Sequence, residues 1–395
     1  MKGRIKRPLH LLVVVALIFA LALTTACNGG RTVPPSPAPP NTPAAPNTDA
    51  SPNTAAPDSP TNNTPEQSTE GFPADSVIGV ALPWLGTQNW AEGNEMFQTE
   101  LAAAGFKPIV QHANNSVPTQ QQQIESMIES GAKVIVVAPI DGTQLGTVLE
   151  KAKADGIHII AYDRLIENTT GVDCVVQYGS IEVGKLQGQA LLDGLAKNKG
   201  SGPWNIELFG GGPADPNAPA FFNGAMQILQ PKIDDGTLVV VSGQTDFTQA
   251  ATLDWDNSRA QSRMDTLLSG FYSGIEIHGV LAPNDGIARA IITACEQAGQ
   301  PLPITSGLDA ENESIEWIWA GRQYCTVDKP TAPLVAKTLE LIKLLQKNEE
   351  WPAFTSMAAN GVIDVGLFEL TPVIVTKDNA KEVYANDPAR LALLK

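Results

Sequence analysis

The side chains able to do chemistry in this sequence stand where short apolar runs end. Asp163 and Arg164 follow the run 157–162. Gly210, Gly211 and Gly212 follow 205–209, with Asp215 and Asn217 just beyond. Asn284 and Asp285 follow 278–282, Asp309 follows 303–306, and Asp328 and Lys329 follow 323–327. Gln88, Asn89 and Trp90 stand at the head of the first long helical stretch, and Trp255 precedes another. Carboxylates, amides and a guanidinium offer forked donors and acceptors to hydroxyl groups, and an indole offers a flat apolar face to C–H patches. Such a set suits a small hydroxyl-rich ring. Each member also has a plainer reading. Asn284 and Asp285 could simply cap a helix, Trp255 could be core, and Asp141-Gly142 reads as a turn.

The apolar runs explain why these positions matter. Candidate strands cover 77–82, 108–111, 133–138, 157–162, 174–177, 205–209, 238–241, 278–282, 303–306 and 323–327. They are nearly continuous and β-branched, as expected for strands buried on both faces. Helical patterns at 91–104, 119–130, 181–197, 256–268 and 286–298 separate them. Repeated strand–helix alternation predicts an α/β fold with two similar doubly wound parallel-sheet lobes. In open α/β sheets a ligand binds beyond the carboxyl ends of the strands. That is where the polar and aromatic residues cluster, in both halves of the chain.

The N-terminal segment speaks of export. Lys2, Arg4, Lys6 and Arg7 precede an uncharged apolar run, 11–23, that ends in Thr24-Thr25-Ala26-Cys27. This is a secretory signal pattern, too short for a comfortable membrane span. Cys27 after Ala26 resembles a bacterial lipobox, with Thr24 in place of the usual aliphatic residue; ordinary cleavage with Cys27 as bystander is the alternative. Residues 28–73 are rich in Pro, Asn, Thr, Ala and Ser and lack the apolar residues needed to fold. They read as a tether behind a lipidated Cys27, placing the protein on the outer face of the cytoplasmic membrane.

Composition narrows the function further. The chain has 395 residues and a formal charge of −16. Residues 1–26 hold four basic and no acidic side chains, so the chain without them is four units more negative. That argues against nucleic acid or an anionic membrane surface as partner. Cys174, Cys295 and Cys325 are too few for a disulfide scaffold; a Cys295–Cys325 bridge is permitted by export and left open. No CxxC, HExxH or GxSxG occurs, so neither a metal site nor a nucleophile elbow is expected. The Gly210–Gly212 run has no following Lys-Ser/Thr and is flanked by acids, which disfavours phosphate. Asp215 and Asp309 could serve a glycosidase in principle, but nothing local marks either as an acid. No cofactor is expected.

Several segments resemble the pentose/hexose branch of the periplasmic sugar-binding proteins of ABC transporters, with likeness to its xylose-binding and multiple-monosaccharide-binding members. They are Gln123-Ile124-Glu125-Ser126-Met127-Ile128, Ile160-Ala161-Tyr162-Asp163-Arg164-Leu165, Asn205-Ile206-Glu207-Leu208-Phe209-Gly210-Gly211, Gly307-Leu308-Asp309-Ala310-Glu311 and Thr326-Val327-Asp328-Lys329-Pro330. A further stretch, 253–268, resembles the galactose/glucose-binding relative. The resemblance covers about residues 76–379. It implies two lobes joined by three crossovers, one holding about 74–180 and 330–364, the other 181–329 and 365–395. It implies a monosaccharide held by Asn89, Trp90, Asp163, Arg164, Asp215, Asn217, Trp255, Asn284, Asp309 and Lys329, with Trp90 and Trp255 facing it from opposite lobes. Xylose, glucose and galactose are the expected types. Its partners would be ABC permease subunits, or a chemoreceptor or sensor kinase; a secreted sugar-processing enzyme is the remaining alternative. Asn89 replaces an Arg of the multiple-sugar protein, Tyr178-Gly179-Ser180 departs from the usual first crossover, and no calcium loop is present.

Overall fold

The computed structural model describes residues 71–395. The signal pattern, Cys27 and nearly all of the tether lie outside the described residues. The first lobe runs through β1 (Val77–Leu82), α1 (Gln88–Ala103), β2 (Lys107–His112), α2 (Val117–Glu129), β3 (Val134–Val137), α3 (Gly146–Ala154), β4 (His158–Tyr162) and β5 (Cys174–Tyr178). The chain crosses into the second lobe with α4 (Ser180–Asn198), β6 (Trp204–Leu208), α5 (Asn217–Asp234), β7 (Leu238–Val240), α6 (Phe247–Ala250), a 3-10 turn at Leu253–Trp255 and α7 (Asn257–Phe271). That lobe continues through β8 (Gly279–Leu281), α8 (Asp285–Gln297), β9 (Ile304–Thr305), α9 (Asn312–Ala320) and β10 (Cys325–Asp328). The chain returns as α10 (Thr331–Gln346), β11 (Ser356–Ala359) and β12 (Asp364–Leu370), then ends as β13 (Val373–Thr376), α11 (Ala380–Val383) and α12 (Pro388–Leu391).

The first sheet has the order β11-β12-β5-β4-β3-β1-β2. Its pairs are parallel except β11–β12. The second has β7-β6-β8-β9, all parallel. A bridge from Leu308 to Val327 carries it on to β10, which pairs antiparallel with β13. Reading β2-β1-β3-β4-β5 beside β7-β6-β8-β9-β10 gives the same doubly wound order twice. The reason is visible in β3, Val134-Ile135-Val136-Val137, which is buried throughout. Val134 and Val136 face one core with Ile78, Val80 and Phe97; Ile135 and Val137 face the other with Ile124 and Leu149. Covering both faces requires helices on both, and those helices supply the parallel crossovers.

All ten expected strands form, with ends within two residues of the expected ones. The break expected between 364 and 365 is corrected by the pairing. Gly366 to Leu370 pair with Cys174 to Tyr178 of β5, so residues 365–370 belong to the first lobe and the third crossover lies at 371–372. Strands β11 to β13 were not anticipated; β11 is Ser-Met-Ala-Ala, a run with little β preference. The three cysteines 174, 295 and 325 are free and buried, so no bridge joins Cys295 to Cys325.

The second lobe depends on one close helix contact. A Cβ on Gly184 of α4 would lie 1.9 Å from the Phe221 carbonyl oxygen of α5, and one on Gly224 would lie 2.2 Å from the Ile181 carbonyl oxygen. Two glycines let the backbones meet. Gly184→Val should therefore lower stability by about 1–3 kcal/mol or more, measured by urea unfolding. Because α5 also carries Asn217 and Phe221, ligand affinity should fall with it.

Candidate functional site

The carboxyl ends of both sheets face one another across the crossovers. Between them, Asn89, Trp90, Asp163, Arg164, Asp215, Asn217, Trp255, Asn284, Asp309 and Lys329 line one cavity. All ten positions singled out in the sequence meet there. Trp84, Thr87, Phe221 and Leu308 complete the lining. The space between these side chains is about 400 Å³, open solvent at its mouth included.

Each element delivers its residue for a local reason. β4 ends at Tyr162, and Asp163 follows with φ 63°; Asp309, past the end of β9, has φ 87°. The Asp163 N–H donates to Val176 of β5 at 2.8 Å and the Asp309 N–H to Val327 of β10 at 2.9 Å. The same left-handed residue thus occurs at the end of the fourth strand of each lobe. A non-glycine residue in this region carries strain, which clusters at functional sites. Asn284 is both cap and lining: its side chain accepts from the Ile287 N–H at 3.0 Å and caps α8. Asp285, beside it, is fully buried and accepts from the Glu311 N–H and from Gln323 Nε2. It braces the Asp309 loop and does not line the cavity.

The glycine run also finds its reason. A Cβ on Gly211 would lie 2.2 Å from the Trp255 ring, and one on Gly212 2.9 Å. Gly211 and Gly212 seat the indole of Trp255 flat on the backbone. Trp90 is only 4% exposed and packs in the first-lobe core, with the Arg164 guanidinium 5.2 Å from its ring centre.

The cavity is knitted by charge. Lys329 Nζ lies 3.2 Å from Asp163 Oδ1 and 3.5 Å from Asp309 Oδ1. Arg164 of the first lobe meets Asp215 of the second at 2.8 Å and donates to the Pro139 carbonyl at 2.9 Å. Asn217 donates across the lobes to the Asp163 carbonyl at 2.7 Å, and Gly142 N–H to Ala214 at 3.1 Å. The Lys329–Asp163, Arg164–Asp215, Asn217–Asp163 and Gly142–Ala214 contacts join opposite lobes, so this is a closed arrangement. Burial pulls the Lys329 ammonium down, but Asp163 and Asp309 outweigh it and hold it above its usual value. Burial lifts Asp215 from its usual value, against Arg164. Burial lifts Asp309 to about 6, against Lys329 and helped by Asp163. Among the described residues, Arg164 Nε and Trp255 Nε1 are buried without a partner.

Residues 78–350 match the family model of the periplasmic binding protein domain. The chain belongs to the periplasmic binding protein family. The multiple sugar-binding periplasmic receptor ChvE of Rhizobium radiobacter is 41% identical over 320 residues, 79% of this chain and 90% of that protein. The D-xylose-binding periplasmic protein of Escherichia coli is 34% identical over 78% of this chain and 89% of its own length. A solved ABC transporter solute-binding protein from Clostridium phytofermentans with bound β-D-glucose superimposes with a TM-score of 0.77 at 34% identity, covering 81% of this chain and all of that one. The family's fold is two α/β lobes with mostly parallel sheets, as seen here.

Asp309 gives a pH test of this geometry. Its pKa rises from 3.8 to about 6 on folding. Between those values the folded state holds more protons than the unfolded, so stability falls as pH rises through the window and stays reduced above it. The cost above pH 6 is on the order of 3 kcal/mol. Asp309→Asn removes it. The stability of Asp309→Asn relative to the native protein should therefore rise by about 1–3 kcal/mol from pH 4 to pH 7, read by denaturant unfolding at several pH values; a pH-independent difference would place Asp309 outside the buried cluster.

Proposed function

We propose that this chain is an exported, lipid-anchored protein that encloses a monosaccharide between its lobes and delivers it to an ABC sugar permease. The observation that carries the reading is the cavity itself. It is closed by both lobes and combines indoles with carboxylates, amides and cations. The relatives support the ligand class, since they are named for binding several sugars, xylose or glucose. Asn89, Asp163, Arg164, Asp215, Asn217, Asn284, Asp309 and Lys329 would bind hydroxyls, and Trp90 and Trp255 would cover the ring, joined by Trp84. Contact from both lobes makes the closed form the one that sugar selects. A permease would recognise that form. Catalysis has no support: the carboxylates facing the cavity pair with Lys329 or Arg164.

Titration calorimetry with xylose, glucose and galactose tests the site. Asp309→Ala removes a charge-assisted partner and should weaken binding about ten- to a hundredfold. Trp255→Ala should weaken every sugar alike, because a flat ring does not read stereochemistry. Unchanged affinity in both variants would displace the site from this cavity.

Anchoring rests on Cys27. Cells expressing the chain should incorporate labelled palmitate, and Cys27→Ser should release the protein in soluble form. An unlabelled native chain would leave simple secretion.

A further inference from the structure

Outside the cavity, the N-terminus of α9 is finished by the other lobe. Its N-cap residue, Glu311, makes no side-chain cap. Instead the N–H of Asn312 donates to Gln88 Oε1, at the start of α1, at 2.9 Å. The Gln88 amide nitrogen donates in turn to Glu92 Oε1 at 2.6 Å. The other Glu92 oxygen accepts from the Thr331 hydroxyl at 3.3 Å, just past the second crossover. One short chain of bonds therefore links a second-lobe helix, a first-lobe helix and the start of α10.

Gln88 does not line the cavity, but its neighbours on both sides do. Asn89 and Trp90 follow it on α1, and Asp309 stands three residues before Asn312. Opening the cleft must separate Gln88 from Asn312, because they belong to different lobes. The bond therefore counts only in the closed form. An uncapped helix start is less stable by the worth of one cap, about three- to tenfold in an equilibrium constant.

We infer that Gln88 is a positioning residue for the proposed sugar site: an interlobe helix cap that sets how much of the protein is closed, and so scales the affinity for every ligand without reading any of them. Apparent affinity follows the fraction of molecules that are binding-competent. The inference rests on the sugar reading for its ligand, and on geometry alone for closure.

The test uses the folded protein with glucose and xylose, by titration calorimetry and stopped-flow fluorescence, and ligand-free protein by small-angle X-ray scattering. Gln88→Ala should weaken both sugars by the same three- to tenfold factor, leave their ratio unchanged, speed dissociation, and lower the closed fraction of ligand-free protein. The double variant Gln88→Glu with Glu92→Gln reverses donor and acceptor within the pair while keeping an acceptor for Asn312, and should restore affinity. A changed ratio between sugars would mean that Gln88 touches ligand and would overturn the inference. So would unchanged affinity and scattering in Gln88→Ala, or failure of the reversed pair to rescue. If neither sugar binds the native protein, the sugar reading falls, and the scattering comparison alone decides the cap.

Discussion

The structure turns on one ammonium group. Lys329 stands on the second crossover, in contact with a carboxylate from each lobe. A buried cation without partners would cost several kcal/mol, and two left-over carboxylates would repel. The three groups are therefore stable only together, and they come together only when the lobes close. Closure is written into the charge pattern of the cleft's own residues. The Arg164–Asp215 pair repeats the same logic from the other side of the cavity.

The two Asp partners of Lys329 are equivalents in a repeated architecture. Both follow the fourth strand of their lobe, both sit in left-handed backbone, and both hand their N–H to the fifth strand. Parallel strands aim their carboxyl ends the same way, so two such sheets face to face bring two loop sets together. The helices between the strands then fix the spacing. Asn284 shows the economy of this plan, since one side chain caps α8 and lines the cavity. Reading it as a cap or as a ligand group proved a false choice.

Much of this was legible in the sequence because strand ends are legible. Continuous apolar runs located ten strands, the polar residues after them located seven lining positions, and the heads of helical stretches located Asn89, Trp90 and Trp255. What escaped did so for physical reasons. Trp84 and Thr87 follow the first strand in a short turn that carries no charged group to mark it. Phe221 lies one helical turn past Asn217, on the same face of α5, so helical spacing from a suspected residue would have found it. Leu308 is apolar and carries no chemical signal. Asp285 looked like its neighbour Asn284 but is turned inward to brace the Asp309 loop. The end of the first lobe was misplaced because β12 pairs with β5, 192 residues earlier, and no local pattern reports a partner that distant.

The same contacts set what a ligand would meet. Arg164 is held by Asp215, Pro139 and the Trp90 face, and Trp255 is pinned against Gly211 and Gly212. Side chains fixed in this way have little freedom left to lose when a ring settles among them, so less ordering cost opposes binding. The ion pairs across the lobes favour closure, and a ligand touched from both lobes adds to the same side of the balance.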